Sequence, residues 1–165
     1  LRLCTEFSGV NFVGQKIKIG PMTKVNAYIT FNGNCEEAFN FYKSAFGGEF
    51  QYIGRYKDLP PTDKEKFQPG NDEKIMHISL PISKETILMG CDKAEVSGEK
   101  TIVGNNIALS IDTNDRNEAD RIFTTLSNGA QIKMPMAETF WGAYFGVLTD
   151  RFGINWLINC ELTKK

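Results

Sequence analysis

The sequence predicts an α+β chain built as two tandem βαβββ modules that form a curved mixed sheet around a cleft. Three observations predict it. Strand-like and helix-like stretches follow one another in the order β, α, β, β, β, and the same order restarts past the middle of the 165 residues. The restart repeats residues as well as pattern: Asn26-Ala-Tyr-Ile-Thr-Phe stands over Asn106-Ile-Ala-Leu-Ser-Ile, and Asn34 over Asn114. With one inserted residue, Glu37-Ala38 stands over Glu118-Ala119. The offset of about 80 residues is too long for a solenoid repeat and suits a duplicated module. One such module has few strands and an open edge, whereas two can curl round a shared cleft and bury more apolar surface.

The elements follow in order. Residues 25–31 alternate and are rich in β-formers, which predicts a strand. Asn32-Gly33-Asn34 is a turn, with Asn34 placed to cap a helix. Glu36 and Glu37 fall in the first helical turn, where acids suit the dipole. Ala38, Phe41, Tyr42, Ala45 and Phe46 recur at helical spacing, and Gly47-Gly48 ends the helix. Residues 49–56 read as a second strand. Residues 57–74 are polar, carry Pro60, Pro61 and Pro69, and predict a loop with one helical turn over 63–67. Residues 74–81 and 85–90 predict a hairpin, and 92–104 a polar connection.

In the second copy, 106–111 predicts a strand, and Asn114 or Asp115 caps a helix bearing Ala119, Ile122, Phe123 and Leu126. Asn128-Gly129 stops that helix. Strands follow at 130–134, 142–148 and 154–162, with a loop at 135–138 and a turn at 150–153. The predicted domains are an N-terminal extension or alternative-start leader (1–21), a first module (22–92), a linker (93–105) and a second module (106–165). Within the extension, 11–19 reads as a weak extra strand.

Composition excludes several classes. Charged residues make up 24% of the chain and the net charge is -1, with Lys and Arg scattered. No footprint for nucleic acid or an anionic membrane results. No apolar run approaches the ~18 residues that a membrane span needs. Residues 1–21 lack the continuous apolar stretch of a secretory signal. Cys4, Cys35, Cys91 and Cys160 form no CxxC pair, so free thiols in a reducing cytoplasm are expected.

Four stretches carry a family resemblance. They are Phe31-Asn-Gly-Asn-Cys-Glu-Glu-Ala-Phe-Asn-Phe-Tyr-Lys43, His77-Ile-Ser-Leu80, Leu88-Met-Gly-Cys-Asp92 and Thr139-Phe-Trp-Gly-Ala-Tyr-Phe-Gly-Val-Leu-Thr-Asp-Arg-Phe-Gly-Ile-Asn-Trp156. Through them the chain from Met22 to about Glu161 resembles the PhnB-like branch of the glyoxalase/bleomycin-resistance/dioxygenase (vicinal oxygen chelate) superfamily. Members are often labelled as a 3-demethylubiquinone-9 3-methyltransferase domain. A methyltransferase would need a glycine-rich cofactor loop after a strand, and the sequence contains no GxGxxG.

The resemblance implies a cleft in which metal-dependent relatives hold a divalent cation from inward-facing positions on the first and last strands of each module. Carried over, these positions fall on Asn26, Met89, Asn106 and Leu157. None is a His or an acid, the side chains that ligate such cations best, so no metal and no other cofactor is expected. Asp92 and Asp150 sit at strand ends or turns, where solvent is expected to compete for them.

His77 is the sole histidine. It reads either as a half-buried structural side chain or as a general base. As a base it lacks an obvious orienting acid, since Asp92, the nearest, suits a loop cap better. The inward set on the first strand is Asn26, Tyr28 and Thr30, mirrored by Asn106, Ala108 and Ser110. With aromatic residues from the end of the chain, the candidate ligand-binding set is Asn26, Tyr28, His77, Met89, Asn106, Trp141, Tyr144 and Trp156.

Three functions stay open. The first is a metal-free protein that sequesters or carries an aromatic or amphipathic small molecule. The second is a metal-dependent lyase, isomerase or dioxygenase-like enzyme of the same superfamily. The third is a dimeric interaction module with a vestigial cleft. A homodimer is expected from the resemblance and from the open sheet edges.

Overall fold

The computed structural model describes residues 24–65, 67, 70–94 and 101–161. The expected extension with its 11–19 strand, Cys4, Leu162 and residues 95–100 of the linker lie outside the described residues.

The first half is a four-stranded sheet of β1 (Tyr28–Phe31), β2 (Tyr52–Arg55), β3 (Ile75–Pro81) and β4 (Ile87–Asp92), crossed by helix α1 (Cys35–Phe46). The strand order is β1-β4-β3-β2, with β1 parallel to β4 and the other pairs antiparallel. A one-turn helix α2 (Pro61–Lys64) interrupts the loop before β3. The second half repeats this with β5 (Leu109–Thr113), α3 (Arg116–Leu126), β6 (Gln131–Glu138), β7 (Ala143–Thr149) and β8 (Asn155–Glu161). Its order is β5-β8-β7-β6, and β5 is parallel to β8. The same order and the same single parallel pair in both halves are the structural form of the sequence repeat.

Several expected elements differ. The predicted loop at 135–138 is strand: β6 runs through Pro135 with two register shifts. β6 is a sheet edge, so the N–H that proline lacks is not needed on its open side. The helical turn expected over 63–67 lies at Pro61–Lys64, because Pro61 takes the first helical position, which suits its fixed φ. The first strand of the second half runs over Leu109–Thr113 rather than 106–111, which leaves Asn106 in its lead-in, and that of the first half begins at Tyr28 rather than Val25. Before that point Asn26 replaces a backbone pairing, its Oδ1 accepting from Ile87 N at 3.2 Å. For the second helix the cap is Asp115, whose carboxylate accepts from Asn117 N.

Both helices pack on one side of the sheets and against each other. A single buried cluster runs through both halves, from Phe31, Phe39, Tyr42 and Leu88 to Phe123, Leu148, Trp156 and Ile158. Alternation explains the partition on β4: Leu88, Gly90 and Asp92 face the helices, while Ile87, Met89 and Cys91 are half-buried on the other face. Gly90 is required there. A Cβ at this position would lie 2.6 Å from the Phe39 ring and 2.7 Å from the Ile29 carbonyl oxygen. Among the described residues no helix is long and apolar enough to cross a membrane, and Cys35, Cys91 and Cys160 are free.

Candidate functional site

β1 and β5 each pair on one side only, and their open sides border a groove of about 650 Å³. The walls are residues 25–30 from β1 and its lead-in, 106–109 from the lead-in to β5, and 153–155 from the β7–β8 turn. A strap of Thr101–Gly104 completes it. Asn32, just past β1, holds the strap at two points: its Nδ2 donates to the Thr101 carbonyl at 3.1 Å and its Oδ1 accepts from Thr101 N at 2.8 Å. Val103 seats against Gly153, where an added Cβ would meet Val103 Cγ1 at 2.9 Å. Gly153 also has φ +87°, a backbone region that other residues rarely adopt.

The structure brings together part of the predicted set. Asn26, Tyr28 and Asn106 border the groove. His77 on β3 stacks on Tyr28 with ring centroids 5.6 Å apart and planes at 23°, and its Nδ1 is hydrogen-bonded to the Tyr28 hydroxyl at 3.2 Å. Tyr52 lies on His77 as well, at 5.7 Å. Met89 is the register partner of Tyr28 on β4 and shares its face, but neither Met89 nor His77 borders the groove itself. Burial, then a hydrogen bond with Cys91, holds the Tyr28 phenol above its ordinary pKa, although 49% of the residue stays open. On either ground the hydroxyl is neutral near pH 7 and available as a donor.

Three aromatic candidates lie elsewhere. Trp156 is 1% exposed and belongs to the core: its ring meets Tyr42 edge-on at 5.5 Å. It lies in the buried cluster with Phe39, Tyr42 and Ile158 and does not border the groove. Tyr144 faces α3, with its hydroxyl donating to Asp120 at 2.7 Å and the Arg116 guanidinium 4.1 Å over its ring. Trp141 sits half-exposed in the β6–β7 turn, edge-on to Phe145, and does not border the groove.

The two nearby acids also correct the sequence reading. Neither competes with solvent: Asp92 is 2% and Asp150 4% exposed. Asp92 Oδ1 accepts from Gly33 N and Cys35 N, and its Oδ2 from Ile75 N, all at 2.9 Å. Asp150 accepts from Phe152 N, Ile154 N, the Tyr42 hydroxyl and Trp156 Nε1. Burial, then the Asp150 carboxylate, pushes the Tyr42 phenol far up, and burial, then Asp92, does the same to the Cys35 thiol. Both acids are occupied by scaffold, and neither orients His77.

Sequence reasoning missed the strap. Thr101-Ile-Val-Gly104 reads as part of a polar connection, and the short apolar pair inside it was the available signal. It also missed Asn155, a groove residue whose Oδ1 accepts from Lys133 Nζ and Thr149 Oγ1 while its Nδ2 donates to the Ile107 carbonyl.

Two βαβββ halves with a groove at their open strands define a protein of the glyoxalase/bleomycin-resistance fold. A solved glyoxalase-related enzyme from Fulvimarina pelagi shares that fold, with a TM-score of 0.54 at 19% identity over 85% of this chain and 89% of its own. The family model described as 3-demethylubiquinone-9 3-methyltransferase matches residues 23–159. Protein PA1353 from Pseudomonas aeruginosa is 34% identical with a TM-score of 0.73, over 86% of this chain and 99% of its own. Protein YjdN of Escherichia coli (strain K12) is 30% identical over 141 residues, 82% of this chain and 93% of YjdN. The chain therefore belongs to the family of that model, described as 3-demethylubiquinone-9 3-methyltransferase.

Proposed function

We propose that this chain is a metal-free small-molecule-binding protein that sequesters or carries an aromatic or amphipathic ligand in the groove between β1 and β5. The groove itself carries the reading. Its volume of about 650 Å³ falls inside the roughly 300–1,000 Å³ of small-molecule sites, and its walls are mostly apolar with a few amides and hydroxyls. N-phenyl-1-naphthylamine, an uncharged fluorophore, should bind with enhanced, blue-shifted emission. Ala108→Trp, which places an indole in the groove wall, should weaken that binding by at least ~10-fold with an unchanged circular dichroism spectrum. Equal emission from the two proteins would sink the reading.

The metal-free part rests on donor chemistry. Asn26, Met89, Asn106 and Leu157 offer two amides, a thioether and an alkyl chain, and the Asn26 oxygen is already engaged by Ile87 N. A catalytic cation needs about three strong donors, so these residues do not fit one. Purified protein should carry Zn, Ni, Mn and Fe at background by elemental analysis, and Asn26→Ala or Asn106→Ala should not change that. Stoichiometric metal lost on either substitution would establish the metal-dependent enzyme instead.

The same reading includes a homodimer. Tyr52, Ile53 and Trp141 expose apolar surface, and β2 and β6 leave open edges. Light scattering at micromolar concentration should return twice the chain mass, and a monomer mass would refute it.

A further inference from the structure

A row of side chains crosses the open face of the first sheet. Strand register sets Tyr52, Ser79, Met89 and Tyr28 side by side across β2, β3, β4 and β1, on the face away from the helices. The neighbouring row begins with Gly54 and its register partner His77. Rings of the first row lean over the second. Tyr28 reaches His77 from the β1 side, with centroids 5.6 Å apart, and Tyr52 reaches it from the β2 side at 5.7 Å.

Gly54 makes room for this arrangement. Its φ is not positive, so the backbone does not require a glycine there. What the position needs is space. An added Cβ would lie 2.8 Å from Tyr52 Cε1 and 2.9 Å from its Cζ, and would overlap the hydroxyl oxygen. A glycine within a strand often marks such a close approach. The Tyr52 ring therefore lies over Gly54, beside the imidazole that pairs with it. On the other side, the Tyr28 hydroxyl bonded to His77 Nδ1 at 3.2 Å holds the second tyrosine ring in place. Tyr28 and Tyr52 nonetheless stay 49% and 48% exposed. Three rings are thus set in a fixed relation and left half open, and one of them, Tyr28, also borders the groove.

We infer that Tyr28, His77 and Tyr52 form a stacking subsite for a flat aromatic ring, where the ligand of the groove extends past Tyr28 onto the open face of the sheet. On the groove reading, on which this rests, the ligand is aromatic and not merely amphipathic. Aromatic pairs gain beyond the area they bury, and rings already held in place lose little freedom when a ligand stacks on them.

Calorimetric titration of the full chain should compare 2-naphthol with decahydro-2-naphthol, which keeps the skeleton and the hydroxyl but has no flat ring. 2-Naphthol should bind ~3–10-fold more tightly. His77 is the sole histidine, so its imidazole proton resonances are unambiguous. The ring current of 2-naphthol should move them upfield, and the saturated compound should leave them in place. Tyr52→Leu keeps apolar bulk and removes the ring, whereas Gly54→Ala keeps the ring and lifts it off the strand. Each should abolish the preference for 2-naphthol while leaving the affinity for decahydro-2-naphthol and the circular dichroism spectrum unchanged. Equal affinities in the wild type, or a preference that survives both substitutions, would overturn the inference while leaving the groove reading intact. A preference that survives Tyr52→Leu while the light-scattering mass falls would overturn it too, and would assign the ring to a contact between copies. Fluorophore binding that Ala108→Trp does not weaken would overturn the groove reading itself, and this inference with it.

Discussion

Replacing Asp150 with Ala is expected to lower the free energy of unfolding by roughly 3–5 kcal/mol, read as a lower urea midpoint at an unchanged slope. The carboxylate is buried and accepts four hydrogen bonds. Oδ1 takes Phe152 N at 2.8 Å and Ile154 N at 2.9 Å; Oδ2 takes the Tyr42 hydroxyl at 2.9 Å and Trp156 Nε1 at 2.8 Å. Tyr42 and Trp156 are themselves fully buried, so the donors left behind cannot turn to water. Each buried unsatisfied group costs about 1–3 kcal/mol, and the sum is tempered by local relaxation. Tyr42 belongs to α1 and Asp150 to the β7–β8 turn, so the network also ties the first helix to the second sheet. A steepness that fell along with the midpoint would mean that the two halves unfold separately in the variant.

Asp150→Asn sharpens the argument. It keeps one acceptor oxygen for the two backbone N–H groups but turns an amide NH₂ toward Trp156 Nε1–H, where donor meets donor. Its stability should fall between wild type and Asp150→Ala. An Ala variant within about 1 kcal/mol of wild type would refute the role of this network, because loss of a buried acceptor for four donors exceeds that figure on any accounting.

The parts of this molecule that were legible in sequence are those set by local periodicity. Both helices, and the hydrophobic runs of β3, β4, β7 and β8, follow from apolar spacing. The Asn26/Asn106 offset survives as two sheets of one topology. What sequence could not supply is which face a residue takes when both faces of a strand are apolar. Trp156 and Tyr144 carry rings as well suited to a cleft as to a core, and only long-range contacts decide, with Tyr42 for the one and with Asp120 on α3 for the other. Pro135 argued locally for a loop, yet an edge strand tolerates it. The acids were misread for a related reason. Asp92 and Asp150 sit at turns, which are usually wet, and only long-range contacts, with Ile75 for one and Tyr42 for the other, reveal them as buried. The strap of Thr101–Gly104, which lines the groove, lay in the stretch with the weakest pattern.

Asp92 separates scaffold from site most directly. Asp92→Ala is expected to cost roughly 2–4 kcal/mol, because it orphans the buried backbone N–H groups of Cys35 and Ile75 and frees that of Gly33. α1 depends on it unusually, since the residue in the cap position, Asn34, makes no side-chain capping bond. The Asp92 carboxylate, reaching in from the end of β4, supplies both the acceptor and the negative charge that a helix N-terminus favours. Asp92→Asn should recover part of the loss, since one amide oxygen still serves Gly33 and Cys35 while its NH₂ opposes Ile75 N–H. Loosening the start of α1 should also open Cys35, which is fully buried in the native protein, to reaction with a thiol reagent. Under conditions where the variant is still folded, N-phenyl-1-naphthylamine should bind it as tightly as it binds wild type, because Asp92 does not border the groove. The opposite pair of results, wild-type stability with lost binding, would make Asp92 the partner of His77 and overturn its assignment to the scaffold.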